Sequence, residues 1–226
     1  MSPPIPDFYG PIHKAIRLAL GDFLILLGSS DAADRAHWTR VEVEWSRIEA
    51  LLEAHSHHED VHVHPMIHVA APEVAHTLDA QHETLDSSIH ALAETVSELK
   101  ALDGADDRRR AARSLYLRYS TFMAAYFHHL IEEEMRAMPA LVEHFPPSAL
   151  LDAHRALVGS ISPEDKLADL PIIARALAPH ERIGLMLATR DNAPPAFFAD
   201  ACRIMQQAIG RDAFEPVAAA LKRQAA

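Results

Sequence analysis

A chain of 226 residues, 49% of them apolar, can bury a substantial core. Its net charge of −11, with His neutral, disfavours nonspecific binding to nucleic acid or to anionic membranes. A single cysteine, Cys202, excludes an intrachain disulfide and a thiolate metal cage. No stretch approaches the ~18 apolar residues of a membrane-spanning helix. Met1–Gly10 lacks the basic and apolar regions of a secretory signal. A cytoplasmic location is therefore expected. Glycine is scarce at 7 residues, while Ala, Leu, Glu and Arg are abundant, so helix should dominate. Histidine is the outlier, with 16 residues.

Pro3, Pro4 and Pro6 predict an irregular start. A first helix is expected from about Asp7 to Leu27, with an apolar seam of Tyr9, His13, Ile16, Leu20, Phe23 and Leu27. Gly28-Ser29-Ser30 breaks it, and Asp31 or Asp34 can cap the next helix. That second helix should continue to about Val69 through the seam Trp45, Ile48, Leu52, His55, Glu59, His62 and Met66, with its last turns kinked or tightened at Pro65. Pro72 suits the first turn of a third helix. Its seam is Ala75, Leu78, His82, Leu85, Ile89, Leu92, Val96 and Leu99, and Asp103-Gly104 ends it. A fourth helix, about Ala105 to Phe145, carries Leu115, Tyr119, Phe122, Tyr126, His129 and Glu133 inward, and Pro146-Pro147 stops it. Spacings of three and four with short connections predict an all-α, antiparallel up-down four-helix bundle over residues 1–146. From Ser148 onward prolines cut the chain into shorter helices: Ala149–Val158, Pro163–Leu177, Pro179–Thr189, Pro195–Ile209 and Arg211–Gln224. Residues 147–226 read as a helical extension that packs on the bundle or forms a subunit contact, such as that of a homodimer.

A short pattern occurs twice: His55-x-x-x-Glu59-Asp60 with Pro65, and His129-x-x-x-Glu133-Glu134 with Pro139. Four residues turn a helix through about 400°, so each His and Glu share a face as a two-point claw for a cation. Each predicted bundle helix also has one His on its seam: His13, His55, His82 and His129. His13 and His82 lie early in their helices, and His55 and His129 late. In an up-down bundle all four meet at one level. A buried imidazole and a buried carboxylate both need partners, and a metal ion satisfies both. Four imidazoles and two carboxylates suit non-haem iron, manganese or zinc. The metal ligands expected are His13, His55, Glu59, His82, His129 and Glu133.

The pairs His90/Glu94 and His128/Glu132 have the same spacing but fall on outer faces. His57, His58, His64 and His68 read as solvated or as supports for ligands, and so do Asp60 and Glu134. Tyr9 and Tyr126 lie one turn from ligand histidines, either as donors to a ligand or as core. Phe122, Leu52, Leu85 and Ile16 should wall the site. No nucleophile triad, phosphate loop or DNA-recognition helix stands out, and no catalytic residue is assigned.

These motifs resemble those of the hemerythrin-like family of HHE cation-binding domains, over about Asp7 to Phe145. The resemblance implies a four-helix bundle holding a non-haem di-iron centre with carboxylate and oxo or hydroxo bridges. It also implies roles in carrying or sensing oxygen, nitric oxide or iron, or in handling peroxide. The expected partner is therefore a small diatomic molecule or peroxide. Oxygen-carrying members place two His four residues apart on the third helix, whereas here Leu78 and Asp86 flank His82. Their fourth helix spaces His and acid by five, so the bridging acid is Glu133 or Glu134. Asp86, His58 or His62 can fill the missing position. The pattern points away from reversible oxygen carriage and toward redox chemistry, sensing or storage. The alternative is a non-catalytic metal sensor with a mononuclear or zinc site.

Overall fold

The computed structural model describes residues 5–29, 31 and 34–223. Pro3 and Pro4 of the irregular start, Ser30 of the first break and Gln224 at the expected last helix end lie outside the described residues. All regular structure among the described residues is helical. None of these helices is long and apolar enough to cross a membrane. Two compact units are present, one of Met1–Tyr9 and Ala19–Leu157, the other of Gly10–Leu18 and Val158–Ala226.

The first unit contains the second half of α1 (Gly10–Gly28), then α2 (Arg35–His62), α3 (His64–Ala70), α4 (Pro72–Ala101) and α5 (Ala105–Glu132). A π-helical turn over Glu133–Ala137, α6 (Met138–His144) and α7 (Pro147–Ser160) follow. The Asp34 carboxylate starts α2 by accepting from the Ala36 N–H at 2.9 Å. α4 packs against α2, α3 and α5, and every residue of its expected seam from Ala75 to Leu99 is buried. The seams of α1 and α5 are buried throughout as well.

An aromatic column fixes the spacing of α1, α2 and α5. Phe23 meets Tyr119 edge-on at 5.0 Å and Trp45 at 5.5 Å. Phe122 and Tyr126 continue the column toward His129. The Tyr119 hydroxyl donates to the Leu20 carbonyl at 2.8 Å, which gives its buried oxygen a partner. Gly28 ends α1 against the Tyr116 ring, where an added Cβ would come within 3.0 Å of the ring carbon.

Two local departures from regular helix reset the inward face. After Glu59 the expected seam residues His62 and Met66 are only half-buried, whereas Val63, His64 and Ile67 are buried. Pro65 has no N–H to continue α2, and Val63, at φ −114°, ψ −48°, joins α2 to α3 and rotates the register. In the fourth segment His129, Glu133, Ala137 and Leu141 are all buried, three successive steps of four. A regular helix would drift by about 120° over those steps. The wider turn that begins at Glu133 absorbs the drift and keeps Ala137 and Leu141 inward.

Below the histidines, Tyr9, Val63, Ile67, Leu78, Ala137, Leu141 and Leu150 form one apolar cluster. At the opposite end Arg108 closes the α4–α5 turn. Its guanidinium donates to the carbonyls of Leu102 at 2.8 Å and Asp103 at 3.1 Å, both at the end of α4.

The second unit comprises Gly10–Leu18 with α8 (Pro163–Ala176), α9 (Pro179–Asn192), α10 (Pro195–Ile209) and α11 (Arg211–Arg223). Its core is Leu170, Ala174, Met186, Ala201, Met205 and Val217. Ser162 caps α8 by accepting from the Asp165 N–H at 3.0 Å. Glu181 reaches back to the Ala178 N–H at 2.7 Å and pairs with Lys14. Gly210 turns the chain between α10 and α11 at φ +82°, a conformation that favours glycine.

Arg108 is buried, and its two carbonyl acceptors lose a charged donor if it is removed. Arg108→Ala should lower stability by about 1.5–3 kcal/mol, read as a drop in the urea midpoint of metal-free protein.

Candidate metal centre

The apolar seams that bury α2, α4 and α5 also carry polar groups into the core. His55 and Glu59 come from α2, His82 from α4, His129 from the end of α5 and Glu133 from the π-turn, and all five are buried. Each claw closes as its spacing predicts. His55 Nε2 lies 3.4 Å from Glu59 Oε2, and His129 Nε2 lies 3.3 Å from Glu133 Oε1. Across helices, His82 Nε2 is 3.0 Å from His129 Nε2 and 3.9 Å from Glu59 Oε2. The ligand atoms of Glu59, His82, His129 and Glu133 all lie within 4.8 Å of one another. Those of His55, Glu59 and Glu133 do so as well. Both carboxylates thus belong to both sets.

His13 is fully buried, in the Gly10–Leu18 stretch of α1. Glu134 is half-buried, and His58 is half-buried and Asp86 exposed. None of these three belongs to a converging ligand group among the described residues. His90, Glu94 and His128 are exposed, as their outer-face positions predict.

Outer contacts set the ring protons. His82 Nδ1 faces Asp60 Oδ1 at 3.1 Å, and His129 Nδ1 faces Gln81 Oε1 at 2.9 Å. Both partners are acceptors, so each ring donates its N–H outward and turns an Nε2 lone pair inward. Two lone pairs 3.0 Å apart repel one another, and a cation between them turns the contact into two bonds. The donor set therefore fits a metal: nitrogen and carboxylate oxygen, and buried anions in need of positive charge.

The phenols of Tyr9 and Tyr126 are pushed well above their ordinary pKa. Burial is the main cause for both, followed by the negative charge of Glu133 and Glu59 for Tyr9, and of Glu59, Glu133 and Asp86 for Tyr126. Both remain protonated, as O–H groups beside the carboxylates. Leu52, Leu85 and Phe122 are buried, as expected of residues walling the site.

Three supporting residues lay outside the sequence expectation or were left open by it. Gln81 has no spacing signal, because the residue before a ligand can point to either neighbour. Asp79, one turn before His82, could have been found as an acid on the same side of α4. His64, expected to be solvated or to support a ligand, is the second of these: it is buried and stacks on His82 with centroids 4.7 Å apart and planes 12° apart. The register change at Pro65 brings it inward. Burial lowers the His64 pKa, as does the neighbouring His82, while its bond to Asp79 and the charges of Asp60 and Glu133 oppose the shift.

Helices that bring imidazoles and carboxylates together in a buried core define a helical cation-binding protein. The model of the hemerythrin HHE cation-binding domain family matches residues 11–141, more than half of the chain, and the chain belongs to that family. Comparison with curated proteins and with solved structures gives no match.

Because Glu133 joins both ligand sets and Glu134 neither, Glu133→Ala should strip the cation while Glu134→Ala keeps it. The loss in affinity should be at least ~100-fold for Glu133, at or beyond the upper end for changes outside the ligand sphere, measured by metal content after dialysis against a weak chelator.

Proposed function

We propose that this chain is a non-haem di-iron protein that binds or reacts with dioxygen, nitric oxide or peroxide, or reports on cellular iron, in a reducing compartment such as the cytoplasm. In this reading α1, α2 with α3, α4, and α5 with its π-turn and α6 form an up-down four-helix bundle. His13 joins His55, Glu59, His82, His129 and Glu133 as a ligand. The observation that carries the proposal is the sharing of Glu59 and Glu133 by two ligand sets. A carboxylate offers two oxygens and can serve two cations at once. Two bridging carboxylates with imidazoles on either side make a dinuclear site.

When bound, such ions supply open coordination and redox capacity to a small molecule. The protein's own residues do the rest. Leu52, Leu85 and Phe122 keep bulk water from the site. Asp60 and Gln81 hold His82 and His129 with their Nε2 atoms inward. Tyr9 and Tyr126, kept protonated, offer O–H donors in the field of the two carboxylates.

A second reading is favoured by one observation. Glu59, His82, His129 and Glu133 form a complete four-donor set by themselves, and four N and O donors suit one zinc ion. The chain would then be a non-catalytic metal sensor.

Metal analysis with an absorption spectrum separates the two. Expression in iron medium should give about two irons per chain and near-ultraviolet bands from oxygen-to-iron charge transfer. One zinc per chain and no such bands would select the sensor reading. Anaerobic iron loading that leaves colourless protein with under about half an iron per chain would contradict the di-iron proposal. Iron present at ~1,000 times its dissociation constant should stabilise the fold by about 4 kcal/mol, seen as a raised unfolding midpoint.

A further inference from the structure

The centre's ligands are buried, so a cation needs a route to them. A groove of about 250 Å³ between α2 and α4 is lined by Glu53, Ser56, His57, Asp60, Asp86, Ile89 and His90. Three carboxylates in one groove raise the local concentration of cations. Of these residues Asp60 touches a ligand of the centre, His82. Its side chain is 53% exposed, yet its Oδ1 lies 3.1 Å from Nδ1 of His82 and 3.6 Å from Nδ1 of His64. These three residues form a group of their own, with ligand atoms within 4.8 Å of one another. Behind them, Asp79 holds His64 Nδ1 through Oδ1 at 3.1 Å and the exposed His68 through Oδ2 at 3.1 Å. The His64 ring is buried, and its Nε2 has no hydrogen-bond partner among the described residues.

Resting on the metal-binding reading above, we propose that Asp60, His64 and the outward nitrogen of His82 form an outer docking position for a hydrated divalent cation on its way to the centre. The groove gathers the cation, and the Asp60 carboxylate is the first group to hold it. His64 Nδ1 and His82 Nδ1 add nitrogen ligands, the proton of each ring moving from Nδ1 to Nε2, with Asp79 beside them. While His82 is engaged on its outer side its N–H is on Nε2, where His129 Nε2 accepts it at 3.0 Å. Transfer inward exchanges one nitrogen of the same ring for the other. The Nδ1–cation bond breaks, the Nε2–cation bond forms, and the ring proton ends on Nδ1 facing Asp60. His82 is thus the only residue common to the outer group and the central sets among the described residues.

The test uses His64, which is outside both central sets. Metal-free full-length protein is mixed with Co²⁺ in a stopped-flow instrument, and filling of the centre is followed by the cobalt visible bands. His64→Gln should slow filling by about tenfold or more while the final Co²⁺ per chain matches the wild type. An unchanged rate overturns the proposal. A lower final occupancy also overturns it, because His64 would then be orienting His82 instead of receiving a cation. Wild-type protein that takes up no Co²⁺ overturns the metal-binding reading itself, a result distinct from either of these. If circular dichroism shows that His64→Gln misfolds, Asp79→Asn takes its place: slower filling to the same endpoint supports the outer position, and any other result overturns it.

Discussion

The carboxylates of Glu59 and Glu133 lie in one core, almost wholly withheld from water. Their ligand oxygens are within 4.8 Å of each other. Two negative charges at that separation repel by about 3 kcal/mol at an effective dielectric of ~20, before the loss of hydration is counted. The rest of the first unit is arranged around that cost. Imidazoles from α2, α4 and α5 turn nitrogens toward the two anions, and Asp60 and Gln81 hold the outer protons of His82 and His129. Positive charge at the centre offsets the repulsion and the desolvation together, and in the proposed reading a cation shared by both carboxylates supplies it.

The same need explains the local irregularities. A π-turn is less favourable than regular helix, yet it falls where an uninterrupted α5 would carry Ala137 and Leu141 off the core face after Glu133. The break at Val63 performs a similar correction at the end of α2. It lets Glu59 face the centre while Val63 and Ile67 fill the apolar cluster one turn further on. In both claws the departure begins at or just after the ligating glutamate, and Pro65 and Pro139 follow within six residues.

Much of this was legible in the residue spacing. The seams of α1, α4 and α5 matched burial position by position, because a 3.6-residue repeat names the face of a helix that meets the core. The claws at His55 and His129 were legible for the same reason. Spacing could not report where the register is reset, so His62 and Met66 were expected inward, and His64 was left between a solvated and a supporting place. Nor could it reveal partners that lie across helices: Gln81 on His129, Asp79 on His64, and Arg108 on the end of α4. Those contacts depend on the angle between helices, which one helix's periodicity does not contain. The starts of α8, α9 and α10 followed from Pro163, Pro179 and Pro195, which suit a first turn, whereas Pro171 and Pro216 lie inside α8 and α11.

In the proposed centre Glu59 and Glu133 serve two cations between them. Crystals grown with iron, with anomalous data collected at the iron edge, test this most directly. Two peaks are expected between these carboxylates, one beside the Nε2 atoms of His82 and His129 and the other beside Nε2 of His55. A single peak touching only one of the two glutamates, or no peak in this core, would contradict it.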